Sequence, residues 1–174
     1  YEKKDIPVIG IEPALKPAVL AKEHSKVVVM ATPMTLSQTK FNSMLHVYED
    51  EANIIKMPCP GLVEYIEGGM LEGPVLDEYL EKQFEPYEKS EIDAVVLGCT
   101  HYPVLEDAVR RFMGESVTLI NPGVAVAQAV KKYLEKADSA NEGQNIGTHR
   151  FFVTDKPGSF KKTASVLLGE EIDD

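Results

Sequence analysis

An α/β fold built on a parallel sheet is what this sequence predicts, and three observations carry it. Apolar runs of strand length alternate with helix-period segments nearly throughout the chain. The runs Lys26 to Ala31 and Ile92 to Leu97 are almost wholly apolar and rich in β-branched residues, as strands buried on both faces of a sheet are. A polar turn follows each, with a proline where a helix starts, in Thr32-Pro33 and in His101-Tyr102-Pro103.

Taken in order, Ile6-Pro7-Val8-Ile9-Gly10-Ile11 reads as a first strand, and Glu12-Pro13 opens a helix through about His24. The buried strand Lys26 to Ala31 leads through Thr32-Pro33-Met34-Thr35 into a helix that runs to about Tyr48. Asn53 to Met57 is a third strand. After Pro58-Cys59-Pro60-Gly61 a short helix ends at Glu67-Gly68-Gly69, whose double glycine suits a C-cap and turn. Gly73 to Lys89 forms an acidic amphipathic helix with Leu76, Leu80 and Phe84 one turn apart, its charges a solvated face. Then come the strand Ile92 to Leu97, a helix from His101 to about Met113, a strand Val117 to Ile120 and a helix from Pro122 to about Lys136. Asp138 to Gly147 has no periodicity and reads as an exposed loop, with a boundary there or at Asn121-Pro122-Gly123. The tail offers one strand, His149 to Thr154, and one helix, Ser159 to Leu168. That is too little for a core of its own, so it docks on something.

The 174 residues, 44% hydrophobic and 7% aromatic, suit one domain, or one domain plus part of another. With 28 acidic against 18 basic residues the formal net charge is −10, which argues against nucleic acid as a partner. No apolar stretch reaches the roughly 20 residues that span a bilayer, and the opening residues lack a signal-peptide core, so a cytoplasmic location with no membrane partner is expected. The cysteines Cys59 and Cys99 make no disulfide framework and are read as free thiols. The chain starts at Tyr1 without Met and with a strand-like run close behind, and reads as a fragment.

The chemistry on offer centres on Gly98-Cys99-Thr100-His101-Tyr102-Pro103. A thiol at a strand-to-helix turn stands where ligands bind in open α/β sheets, and helix N–H groups and a neighbouring imidazole both favour its thiolate. A small buried hydrophobe is the plain alternative for Cys99. His101 suits general acid/base work or an anionic ligand group, or a bond to a local carbonyl. Thr100 suits a ligand carboxylate or a helix cap, and Thr32 and Thr35 carry the same two readings. Glu67 is either a carboxylate aimed into a cleft or a solvated helix end. Cys59, between two prolines, reads as structural. A zinc site from Cys59, Cys99 and His101 lacks the paired spacings of zinc motifs. GxGxxG, GxxxxGK[ST], HExxH and GxSxG are all missing, which removes the usual dinucleotide, nucleotide, metalloprotease and serine-hydrolase signals.

Ile6-Pro7-Val8-Ile9-Gly10-Ile11-Glu12-Pro13, Ala31-Thr32-Pro33-Met34-Thr35, Cys59-Pro60 with Val63 and Glu67-Gly68, and above all Leu97-Gly98-Cys99-Thr100-His101-Tyr102-Pro103 resemble the glutamate racemases. The similarity continues through Asn121-Pro122-Gly123 and Phe151-Phe152-Val153-Thr154 to Leu168-Gly169. It implies a cofactor-independent isomerase acting on glutamate, supplying its D-form for peptidoglycan, in which two cysteines face opposite sides of the substrate α-carbon. On that pattern Cys99 matches the second thiol, His101 the histidine beside it, Glu67 a cleft carboxylate near the substrate ammonium or the histidine, and Thr100 a substrate-carboxylate contact. Thr32 and Thr35 match a substrate loop. The resemblance further implies two similar α/β domains, one inserted in the other: residues 1–11 end a first-domain segment, 12–122 form the complete inserted domain, and 123–174 return to a first domain left incomplete. The segments bearing the family's Asp-Ser-Gly strand end and first catalytic cysteine would precede Tyr1, and Cys59 does not match that thiol. The chain alone is therefore expected not to racemise glutamate at an appreciable rate, and the 123–174 region to carry an apolar face, exposed or covered by another copy. An aspartate racemase-like enzyme, or a non-catalytic amino-acid-binding module, are the competing readings.

Overall fold

Four parallel strands form the sheet: β1 (Lys26–Ala31), β2 (Asn53–Pro58), β3 (Ala94–Leu97) and β4 (Thr118–Ile120), in the order β2-β1-β3-β4. The structure is a computed structural model and describes residues 7–10, 15–20, 22–141, 143, 148, 150–155 and 157–172. Val27, Val28, Val29, Met30 and Ala31 of β1 and all of β3 are buried, because β1 and β3 are the inner strands and are covered on both faces. Alternate residues serve opposite faces. Val28, Met30, Val95 and Leu97 pack with α4 (Leu62–Glu67), α5 (Pro74–Phe84) and α6 (Glu106–Met113). Val27, Val29, Ala94 and Val96 pack with α1 (Leu15–Leu20) and with Phe41 and Leu45 of α3 (Thr39–His46). The result is a three-layer sandwich whose strand order reverses between β1 and β3, since β1 is followed outward by β2 on one side and by β3 on the other.

Several elements differ from the sequence reading, each for a local reason. The helix expected from Thr35 to Tyr48 is two: α2 (Pro33–Ser37) and α3, separated by Gln38, whose backbone is extended. Ser37 Oγ donates to the Met34 carbonyl, and Asn42 Nδ2 donates to the carbonyls of Leu36 and Gln38. These side-chain bonds occupy carbonyls that a continuous helix would use. The helix expected to Lys89 stops at Phe84, two residues before Pro86, which has no N–H to continue the ladder. The helix expected from His101 begins as a 3₁₀ turn over Tyr102–Leu105, and α6 starts at Glu106. Residues 7–10 and 150–153 form no strand; the ends at Ile6, Ile11 and His149 lie outside the described residues. Strand sequences need a ladder partner, and none of the described strands pairs with either segment.

The remaining helices are α7 (Pro122–Lys136), which matches the expected span, and α8 (Pro157–Leu168). Asn121 caps α7 by accepting the Gly123 N–H at 2.9 Å, and its amide donates to Glu106 Oε2 at 3.0 Å. Val124, Val130, Tyr133 and Leu134 of α7 and Val166, Leu167 and Leu168 of α8 are exposed in this single chain. An apolar face in the 123–174 region is thus uncovered here. No helix among the described residues is long and apolar enough to cross a membrane.

Candidate active site

The carboxyl ends of β1 and β3 lie side by side at the point where strand order reverses, which is where open α/β sheets place their ligands. Both polar turns picked out from the sequence leave the sheet here. Gly98 follows β3 and donates its N–H to the Met30 carbonyl at 2.8 Å. A Cβ at Gly98 would stand 2.7 Å from that same oxygen, so the close approach of the two chains requires glycine. Cys99 is carried out of the sheet on this hinge and is half-buried.

Its Sγ stands 3.9 Å from Nδ1 of His101, and the other ring nitrogen, Nε2, is 3.4 Å from Oε1 of Glu67. The three side chains from two separate segments therefore form a line of sulfur, imidazole and carboxylate. Glu67 reaches it from the last residue of α4 although its side chain remains 61% exposed, so it is both a solvated helix end and a partner of the imidazole. His101 occupies the N-cap position of the turn that follows but makes no side-chain cap hydrogen bond, and Thr100, one residue earlier, is exposed. Because the element after Cys99 is a 3₁₀ turn, the Tyr102 N–H closes that turn on the Cys99 carbonyl at 3.1 Å instead of pointing to an anion.

After β1, Thr32 caps α2: its Oγ1 accepts the Thr35 N–H at 3.2 Å and lies 2.9 Å from Thr35 Oγ1. The two hydroxyls are held on each other. Cys59 is a different case. It is 1% exposed, its Sγ is 3.5 Å from the Met57 carbonyl, and burial pushes its thiol up to about 12. A thiol so desolvated is a poor source of thiolate.

A cleft of about 540 Å³ adjoins this line, with Glu67 and His101 on one wall and Phe152, Thr154, Ser159 and Thr163 on the other. Cys99, Thr32 and Thr35 are not among its lining residues. No tail residue was singled out for the site by the sequence reading; the wall's signals were the resemblance through Phe151 to Thr154 and the spacing of Ser159 and Thr163, four apart on one face of α8. A second depression of similar volume lies over α5 and Phe112, rimmed by Glu78, Glu81, Glu85 and Glu88. It has no thiol or imidazole. Among the described residues no three His, Cys, Asp or Glu side chains converge to hold a metal ion.

Residues 1–130 match the family model described as Asp/Glu/Hydantoin racemase. The chain belongs to that family. It is 44% identical over 167 residues to a glutamate racemase of Clostridium novyi, covering 95% of this chain and 64% of the relative. To the glutamate racemase of Clostridium acetobutylicum it is 48% identical over 144 residues, covering 83% and 56%. Among solved structures, glutamate racemase from Bacillus anthracis superposes with a TM-score of 0.82 at 29% identity, covering 99% of this chain and 65% of the other. That of Francisella tularensis, in complex with D-glutamate, superposes with a TM-score of 0.78 at 26% identity, covering 98% and 63%. The chain spans about six-tenths of the length of the curated relatives it matches.

Proposed function

We propose that this chain contributes one of the two thiols of a cofactor-independent glutamate racemase, with Cys99 as the proton-transferring group. The observation that carries the proposal is the Cys99, His101, Glu67 line at the reversal of strand order. As thiolate, the Cys99 sulfur takes the α-hydrogen of glutamate: the C–H bond breaks, an S–H bond forms, and the electron pair stays on the α-carbon, delocalised into the carboxylate. As thiol it delivers the hydrogen in the reverse sense. His101 steadies the sulfur's proton or the anion that replaces it, and Glu67 orients the ring. Thr100 supplies its hydroxyl toward a substrate carboxylate, and the loop with Thr32 and Thr35 turns one of its two hydroxyls toward the substrate. The product would serve peptidoglycan synthesis in the cytoplasm.

Racemisation needs a second sulfur on the opposite face of the α-carbon. Cys59 does not qualify, being buried with its thiol pushed up to about 12. On the family pattern residues 1–11 end a first-domain segment, 12–122 form an inserted domain and 123–174 return to the first domain, a reading supported by the four described strands all falling between Lys26 and Ile120. The chain alone is therefore expected to leave the optical rotation of L-glutamate unchanged, and clear turnover would refute that. The racemase reading is tested by proton NMR of L- and D-glutamate in D₂O. Loss of the α-proton signal with one enantiomer, abolished in Cys99→Ala, supports it. Binding with no exchange supports a non-catalytic amino-acid-binding module. Exchange into aspartate but not glutamate supports an aspartate racemase-like enzyme.

A further inference from the structure

Glu67 and His101 meet although they belong to elements 34 residues apart in the chain, and α4, which carries Glu67, has no side-chain cap of its own at Gly61. Its head is held by the buried Leu62 and, on the polar side, by a pair of tyrosine hydroxyls. Tyr102, fully buried, donates to the Cys59 carbonyl at 3.3 Å, and Tyr79 donates to the Pro60 carbonyl at 3.0 Å. On the strand side the Cys59 N–H is fixed to the Ala31 carbonyl at 2.9 Å. Burial, followed by the nearby Cys59 and Cys99 sulfurs, pushes the Tyr102 phenol well above its ordinary value, so it remains a donor.

We propose that Tyr102 is a positioning residue: its hydroxyl, bonded to the Cys59 carbonyl, fastens the head of α4 to the turn carrying Cys99 and His101 and thereby keeps Glu67 on His101. Gly61, with φ of 78°, is the left-handed pivot on which α4 would otherwise swing. The helix is six residues, about 9 Å long, so a displacement at its head reaches Glu67 undiminished. The role of the contact in proton transfer rests on the racemase reading, but the contact itself does not.

Tyr102→Phe keeps the buried ring and removes the donor. The measurement is the His101 Nε2 chemical shift in ¹⁵N-labelled full chain, assigned by its loss in His101→Gln. Glu67→Gln sets the displacement caused by losing the carboxylate. Tyr102→Phe is expected to move the signal in the same direction by at least half as much, and the double variant no further than Glu67→Gln alone. A wild-type shift in Tyr102→Phe, even with a lowered melting temperature, overturns the proposal and leaves Tyr102 a packing residue. An unmoved signal in Glu67→Gln overturns it too. Should Tyr102→Phe fail to fold, Tyr79→Phe reads the same clamp, with movement supporting it and none overturning it. Turnover is not measured, so failure here is distinct from failure of α-hydrogen exchange.

Discussion

Gly98→Ala tests whether the approach of β1 and β3 beneath Cys99 is as tight as the geometry requires. The added methyl would meet the Met30 carbonyl oxygen at 2.7 Å, Val29 Cγ1 at 3.3 Å and the Ala31 Cβ at 3.4 Å. The first of these is backbone of an inner, fully buried strand, so it cannot swing away as a side-chain tip could. Relief demands that the strand ends part, which lengthens the 2.8 Å bond from Gly98 N–H to Met30 and leaves a buried carbonyl short of its donor. An unsatisfied buried backbone group costs about 1–3 kcal/mol, and overpacking a core adds a similar amount, so about 3 kcal/mol is expected in all. Against a total stability of roughly 5–15 kcal/mol that is a large loss, worth a fall in melting temperature of roughly 6–12 °C for a chain of this size. Urea unfolding followed by circular dichroism gives the value, with Gly158→Ala as control, since nothing lies within 4 Å of a methyl there. A Gly98→Ala midpoint equal to wild type would refute the reasoning, because the strand ends would then have slack.

The other predictions concern thiols, a cap and a carboxylate. Under native conditions iodoacetamide is expected to modify Cys99 at least ~10-fold faster than Cys59, followed by peptide mass mapping, and the difference should vanish in urea; equal native rates would contradict the burial of Cys59. Thr32→Ala should lose about 1 kcal/mol of unfolding free energy through its cap on α2, and Thr32→Ser should restore most of it. The Lys22 ammonium, then the Lys26 N–H, hold the Asp93 carboxyl below its ordinary value. A depressed carboxyl stabilises the fold above its unfolded value near 4, and that contribution is lost as pH falls through the folded value. Asp93→Asn is therefore expected to destabilise at pH 7 by about 1 kcal/mol and to match wild type in the most acid part of a pH series of urea melts; a constant gap at every pH would contradict this.

Parallel strands buried on both faces were legible in this chain because such burial leaves an unmistakable apolar run, as in Val27-Val28-Val29-Met30 and Ala94-Val95-Val96-Leu97. The location of Cys99, Thr32 and Thr35 at strand ends followed from the same runs, and their residue types from the polar turns beyond. The break at Gln38 and the 3₁₀ start at Tyr102 were not legible, since they depend on which side chains reach local carbonyls. Nor could periodicity show that 7–10 and 150–153 join none of the described strands, because a strand exists only with its neighbour. By itself the sequence determined a parallel α/β sheet and a thiol and imidazole two residues apart beyond the carboxyl end of one of its buried strands, through the short-range physics of burial and chain direction. Only the tertiary structure decided that Glu67 meets His101, that Tyr102 reaches the Cys59 carbonyl, and that α8 walls a cleft beside them, since each is a contact between distant segments set by packing.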